Sequence, residues 1–156
     1  MEKIKKMKKI VIGALLGVGL LGFPFVSMAQ GTPDTKSPCD YLTTDEVGSV
    51  LGHAGIVQNS PVPKTCSYFD SQTQTMVSLV IITTHLTSAQ VDAIYQPLLQ
   101  QFKPIDGIGD KAAEFERTPA TGVYFFKNGT YGEIMTTLDQ DHSKTEALAK
   151  IVVSKL

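Results

Sequence analysis

VYFFKNGTYGEIMTTL, residues 123–138, is the stretch that decides the fold of this chain. Two apolar-rich segments, Val123–Lys127 and Thr130–Leu138, flank the dipeptide Asn128-Gly129. Asn-Gly is the strongest short-range signal for a β-hairpin, because a two-residue type I′ turn needs a positive φ at both residues. The stretch therefore predicts two antiparallel strands joined by a tight turn.

Further strands are predicted earlier in the chain. Met76–Thr84 is rich in Val, Ile and Thr and nearly continuous in its apolarity, which predicts a central strand covered on both faces. Shorter strand candidates are Ile56-Val57, Cys66–Phe69 and Phe115–Arg117. Lys103–Ala113 is expected to form a loop, with positive φ at one or both of its glycines.

Three capping boxes predict the starts of three helices. In each box a Thr or Ser side chain accepts a hydrogen bond from the backbone N–H three residues on, and a Glu or Gln side chain bonds back. The boxes are Thr43 with Glu46, Thr87 with Gln90, and Ser143 with Glu146. The apolar stripes that follow at helical spacing lie within Val47–Leu51, Val91–Phe102 and Leu148–Leu156. Gly52 is expected to end the first helix, and Pro97 to kink or divide the second.

The resulting order of elements is helix, strands, helix, strands, helix. Consecutive strands joined by hairpins are typical of α+β domains with a largely antiparallel sheet. The sequence therefore predicts a single α+β domain over residues 38–156, with two to three helices packed on the sheet.

The first 29 residues have the pattern of a secretory signal peptide. A lysine-rich start precedes an uncharged run at Ile10–Gly22, and Ser27–Ala29 supplies the small residues of a cleavage site. We therefore expect cleavage after Ala29 and a periplasmic or secreted protein. An uncleaved membrane anchor is the alternative, although glycines and a proline interrupt the apolar run.

Removal of residues 1–29 changes the size and charge of the chain. The remaining 127 residues suit one domain with a sizeable core. The loss of five lysines and one glutamate moves the formal net charge from −1 to about −5. An acidic surface is unfavourable for nucleic acid, which needs a basic patch, and no stable membrane insertion is expected after cleavage. Residues 30–37 lack apolar periodicity and are expected to form a flexible leader.

Cys39 and Cys66 are the two cysteines of the chain. An even pair in an exported protein is normally bridged, which favours a disulfide. A lipid-bearing cysteine would sit at the cleavage site, and a zinc site would show CxxC or nearby histidines. A catalytic thiol would need a low pKa, which a helix start can supply, together with a base. The disulfide would close a loop of about 28 residues, worth roughly 3.5 kcal/mol.

The sequence predicts no catalytic residue, no metal site and no cofactor. Its histidines belong to no ligand or catalytic motif, and we expect them at the surface or at element ends; they are His53, His85 and His142. The Gly107–Gly109 loop follows a helix and is flanked by Asp106 and Asp110, which disfavours a phosphate site.

A set of motifs runs through the chain: Cys39 ahead of Leu42–Gly52, then Cys66-x-Tyr68, Gly107-Ile108-Gly109-Asp110, and a hairpin before Ala147–Ala149. With these motifs the chain resembles, over about residues 38–155, a broad group of exported bacterial domains of unknown function. Many are actinobacterial lipoproteins, and the group is similar to the extracellular sensor domains of some receptor serine/threonine kinases. The resemblance implies a single α+β domain with a curved antiparallel sheet and a disulfide joining the first helix region to an early strand, and it carries over no catalytic residue. This chain lacks the lipobox and has one cysteine pair where the kinase sensors have more.

These observations favour an exported, non-enzymatic binding or sensor-like domain for a small molecule, an envelope component or a protein. Its ligand site is expected on the sheet face or rim that the helices leave uncovered. Tyr124 and Tyr131 flank the hairpin and are candidates to line that site, with cross-strand packing as the other interpretation. A small envelope hydrolase or transferase is an alternative, which a pocket cluster of His85, Asp106 and Asp110 would support. A structural subunit of an envelope assembly is another.

Overall fold

The computed structural model describes residues 36–60, 62–137 and 142–156. Within these ranges the chain forms three α-helices, seven β-strands and a 3-10 turn at Pro38–Asp40. The helices are α1 (Thr44–Leu51), α2 (Ser88–Leu98) and α3 (Ser143–Ser154). The strands are β1 (Val57–Asn59), β2 (Thr65–Asp70), β3 (Thr75–Thr83), β4 (Lys103–Ile105), β5 (Lys111–Arg117), β6 (Ala120–Lys127) and β7 (Thr130–Thr137). The predicted signal peptide and most of the leader lie outside the described residues.

The predicted hairpin forms the centre of an antiparallel sheet. β6 and β7 pair from Lys127 and Thr130 outward, and the turn residues Asn128 and Gly129 have φ angles of 49° and 76°. Positive φ at both positions is the geometry of a type I′ turn, which matches the twist of the flanking strands. The strand order β1-β2-β3-β7-β6-β5-β4 puts β7 in the middle, and every neighbouring pair is antiparallel. The predicted α+β fold is confirmed.

The segment Lys103–Ala113 is not the loop that its sequence predicts. It contains β4 and the start of β5, which pair at one edge of the sheet. Gly107 and Gly109 form the turn between them with φ angles of 77° and 63°, so the expected positive φ is confirmed. A Cβ on Gly109 would collide with the carbonyl oxygen of Phe126. β4 escapes prediction because three residues with a proline in the middle show no alternating pattern.

Two of the three predicted capping boxes are confirmed. The side chains of Thr43 and Thr87 accept hydrogen bonds from the backbone N–H three residues on, at 3.2 and 3.3 Å. The third box is wrong, because α3 begins at Ser143 itself and His142 is the residue before it, with φ of 62° and no capping side-chain bond. The left-handed backbone conformation of His142 directs the chain into the start of α3. The His142 carbonyl oxygen accepts the Glu146 N–H at 2.9 Å.

All three helices are short. Pro97 lies in the last turn of α2, which ends one residue later, so it stands near the helix end and not in the middle of a longer helix. Leu99 and Phe102, beyond the helix end, still pack with the apolar residues of α2. No helix in the described ranges is long and apolar enough to cross a membrane.

One face of the sheet carries the main core. α1, α3 and the 3-10 turn pack against inward-facing side chains of the central strands. The fully buried strand residues include Cys66, Val77, Leu79, Val123, Phe125 and Ile134. Inside this core the Tyr68 hydroxyl donates a hydrogen bond to the Leu42 carbonyl oxygen, and burial raises the pKa of Tyr68. The first and last helices, α1 and α3, therefore share one apolar layer with the sheet.

The predicted disulfide between Cys39 and Cys66 is confirmed. It joins the 3-10 turn to β2, with the two Cα atoms 5.2 Å apart. Cys66 has no exposed surface, so the bond enters the main core rather than lying on the outside. The start of the domain is therefore fastened to the sheet.

α2 covers only part of the second face. Val91 and Tyr95 pack on Ala113 of β5 and Phe126 of β6. Nearer the β1 edge, Met76 of β3 is 42% exposed. The prediction that this strand is covered on both faces is therefore wrong, because α2, the helix described on this side, lies over β5 and β6.

Replacing both cysteines, as C39A/C66A, should lower the free energy of unfolding by about 3.5 kcal/mol, because the unfolded chain regains the entropy of the closed loop. Urea denaturation followed by circular dichroism measures this change. Reduced wild-type protein is the matched control and should show a similar loss without any change of side chain. Equal stability of the oxidised, reduced and substituted proteins would contradict the role given to the bond.

Candidate functional site

The open half-face is the part of the second sheet face that α2 leaves uncovered. It spans β1, β2, β3 and the outward side of β7, and the strand register sets its membership, since directly opposite side chains share a face. Its residues are Val57, Asn59, Thr65, Ser67, Phe69, Met76, Ser78, Val80, Glu133 and Met135.

An apolar row crosses one end of the open half-face. Val57, Phe69 and Met76 lie opposite one another on β1, β2 and β3, and they are 60%, 41% and 42% exposed. Single exposed apolar side chains are ordinary on protein surfaces, whereas contiguous ones mark contact sites. Ser67 and Ser78 pair beside this row and add hydroxyl groups. The open half-face therefore offers an apolar strip with hydrogen-bonding groups next to it.

A charged group borders the open half-face on the β6 side. The Arg117 guanidinium donates a hydrogen bond to the Tyr124 hydroxyl at 2.7 Å and lies 3.9 Å from a Glu133 carboxylate oxygen. Burial raises the pKa of Glu133, although the Arg117 charge and a hydrogen bond with Tyr124 act in the opposite direction. A carboxylate has room for several donors, so Glu133 can accept a further hydrogen bond from a bound partner.

Aromatic rings hold this charged group in position. The Tyr124 ring centroid lies 4.5 Å from that of Phe115 and 5.4 Å from that of Phe102, and Arg117 lies 4.7 Å over the Phe115 ring. Gly122 lies directly opposite Phe115, and a Cβ at that position would collide with the ring. The missing side chain therefore gives Phe115 the space to lie across its neighbouring strand.

Tyr124 and Tyr131, the candidate site residues from the sequence, lie at the border between α2 and the open half-face. Tyr131 stacks on Phe126, with centroids 4.6 Å apart, and burial raises the pKa of Tyr131 to about 12. Tyr124 is 6% exposed, and its hydroxyl meets Arg117. The two tyrosine rings are 6.1 Å apart on the second sheet face. Cross-strand packing is their visible role, and contact with a ligand stays a prediction.

Three concavities lie elsewhere on the described surface. One of about 540 Å³ lies between α1 and the loop after it. The corner cavity, of about 440 Å³, lies between the 3-10 turn and the end of β3, and Lys36, Tyr41, Lys64 and Ile81 are among its lining residues. One of about 370 Å³ lies beside His142. No residue of the open half-face lines any of the three.

His142 lies between two glutamates. Its Nδ1 is 3.7 Å from a Glu114 carboxylate oxygen, and its Nε2 is 3.3 Å from one of Glu116. The expectation of a histidine at an element end is met here, since His142 precedes α3. The two ring nitrogens face different carboxylates, so the three side chains do not converge on one point. Within the described ranges no group of three or more His, Cys, Asp or Glu residues could hold a metal ion.

The cluster that would support a hydrolase or transferase is not gathered in any of these concavities. His85, Asp106 and Asp110 are each exposed, and none of them lines the three concavities. Asp110 instead accepts hydrogen bonds from the Asn128 backbone N–H at 2.8 Å and from Lys127 at 3.0 Å. These bonds lower the pKa of Asp110 and support the central hairpin turn.

Comparison with known proteins adds no assignment to this geometry. No protein-family model, curated protein or solved structure matches the chain. The resemblance to exported bacterial domains and to receptor-kinase sensor domains therefore stays a prediction, and the candidate site rests on its own contacts.

Sequence reasoning missed Glu133 and Arg117. A signal for Glu133 was present, because it is the one charged residue in Thr130–Thr137 and falls on the same side of the strand as Tyr131 and Met135. No comparable signal marks Arg117, which reaches Glu133 only because β6 lies between β5 and β7.

Glu133→Gln should change how stability depends on pH. A carboxyl group whose pKa is raised by folding lowers stability as the pH rises through and above its unfolded value of about 4.5. The variant has no carboxyl group at this position and therefore lacks this loss. Its free energy of unfolding, relative to that of the wild type, should rise between pH 3.5 and pH 7. Urea denaturation at several pH values measures the difference. Asp106→Asn, at an exposed position, is the control, and parallel pH profiles for wild type and Glu133→Gln would contradict the prediction.

Gly122→Ala should lower the free energy of unfolding by about 1–3 kcal/mol, because the added methyl group displaces the Phe115 ring. The double variant G122A/F115L should recover part of that loss, since leucine needs less space over the neighbouring strand. A double-mutant cycle by urea denaturation measures the coupling. Strictly additive effects would show that the ring and the glycine do not depend on each other.

Proposed function

We propose that the chain is an exported, non-catalytic binding domain that recognises a partner protein through the open half-face. The observation that carries this proposal is the row of exposed apolar side chains formed by Val57, Phe69 and Met76 on three neighbouring strands. The charge pattern of residues 1–29 and the Cys39–Cys66 bond, which suits an oxidising compartment, support export.

The shape of the open half-face supports a protein as the partner. Sites for small molecules are concave and enclose most of their ligand. None of the three concavities includes a residue of the open half-face. A broad surface of this kind can bury enough area only against another broad surface, which a protein provides.

The chemistry of the open half-face supports the same conclusion. Non-permanent protein interfaces combine apolar contacts at their centre with hydrogen bonds from polar groups. The apolar row supplies the first, and the Ser67–Ser78 pair supplies hydroxyl groups for the second. Glu133 is 16% exposed and already partly desolvated, so a donor from the partner would form a charge-assisted hydrogen bond at a reduced desolvation cost.

Site-specific photocrosslinking in the exporting cell tests the proposal. A benzoylphenylalanine in place of Met76 should give a discrete covalent adduct with a second protein on irradiation. The matched control carries the same probe in place of Val62, which is 52% exposed but lies outside the open half-face. Adding Phe69→Asp to the Met76 probe should reduce the adduct about fivefold or more, because a charge would be buried at the contact.

Three results would contradict the proposal. One is the absence of an adduct from position 76, and another is an equal yield from position 62. The third is an adduct composed of two copies of this chain, which would assign the open half-face to self-association.

A further inference from the structure

The corner cavity has an apolar floor. Pro38, Tyr41 and Ile81 line it and are buried, with 4% of Tyr41 and 8% of Ile81 exposed. The Cys39–Cys66 disulfide fastens the 3-10 turn, which carries one wall, and β3 carries another. Both walls are held by the fold, so the cavity exists before any ligand arrives.

Two lysines stand at the rim of the corner cavity. The Lys36 Nζ lies 5.3 Å from the centroid of the Tyr41 ring, and the Lys64 Nζ donates a hydrogen bond to the Ile82 carbonyl oxygen at 3.4 Å. Hydroxyl groups in the same lining belong to Ser37, Ser60, Thr83 and Thr84. Ser60 donates its proton to the Thr65 carbonyl oxygen at 3.0 Å, and Thr83 donates to that of Thr84 at 3.5 Å. None of the lining residues in the described ranges carries a negative charge. The described lining is therefore cationic, on a chain whose formal net charge is −1.

We propose that the corner cavity binds a small organic anion, a carboxylate or phosphate group carried on a compact apolar group. The apolar group rests on the buried floor, and the anion meets the lysine ammonium groups at the rim through charge-assisted hydrogen bonds. A volume of about 440 Å³ falls within the usual range for small-molecule sites. No residue of the open half-face lines the corner cavity, so this site does not depend on the proposed protein partner.

Lys64 offers the sharpest test, because its side chain can be removed without straining the backbone. Its φ is 65°, in the left-handed region, and its carbonyl oxygen accepts the Ile81 N–H at 3.0 Å. Side chains are disfavoured in that region, whereas glycine is not. Lys64→Gly therefore removes the ammonium group and leaves a folded chain with the same turn.

The experiment is isothermal titration calorimetry of the intact, oxidised chain with four probes. Benzoate and phenyl phosphate carry both an anion and an apolar ring, and comparing them distinguishes a carboxylate site from a phosphate site. Inorganic phosphate lacks the ring and benzyl alcohol lacks the charge, so each should bind at least tenfold more weakly than the better aromatic anion. Lys64→Gly should weaken that anion about tenfold. Gln74→Gly is the matched control, because Gln74 also has a left-handed φ, of 61°, but does not line the cavity.

The proposal is overturned if neither aromatic anion binds, or if Lys64→Gly binds as tightly as the wild type. It is also overturned if Gln74→Gly weakens binding as much as Lys64→Gly does, because the effect would then come from the backbone. Benzyl alcohol binding as tightly as benzoate and phenyl phosphate would show an apolar pocket without anion recognition.

Discussion

A seven-stranded sheet has two broad faces, and the described part of the chain supplies three short helices to cover them. At 1.5 Å per residue, helices of 8, 11 and 12 residues are about 12–18 Å long. Seven strands about 4.8 Å apart make a sheet roughly 30 Å wide. α1 and α3 pack on the same face, so α2 alone is left for the other. The open half-face follows from this mismatch, since it lies on the side of the sheet that α2 does not reach.

On each face of the central strands, an aromatic ring fills the space over a glycine of the neighbouring strand. Phe125 lies opposite Gly132 toward the main core, and Phe115 lies opposite Gly122 on the second face. Phe115 then extends the apolar cluster of α2 as far as Tyr124. The charged group at Arg117 and Glu133 therefore lies where aromatic covering ends and the open surface begins.

The two proposed sites differ in shape, and each shape suits a different partner. The open half-face is broad and mixes apolar, hydroxyl and charged groups, which fits another protein. The corner cavity is concave, with an apolar floor and a cationic rim, which fits a small anion. The disulfide connects the second site to the fold, because it holds the 3-10 turn against β2 and so keeps one wall of the cavity in place.

Short-range signals were sufficient for much of the fold. The turn at Asn128-Gly129 and the caps at Thr43 and Thr87 depend on residues at most four positions apart. The predicted compartment and the even count were enough to predict the pairing of the two cysteines. The two proposed sites could not be predicted from such short-range signals. The bare side of β3, the meeting of Arg117 with Glu133, and the cavity shared by Lys36 and Lys64 follow from strand order and helix placement. Those contacts join residues that are far apart in the chain, and no spacing or periodicity in the sequence indicates them. They are determined by the tertiary packing alone.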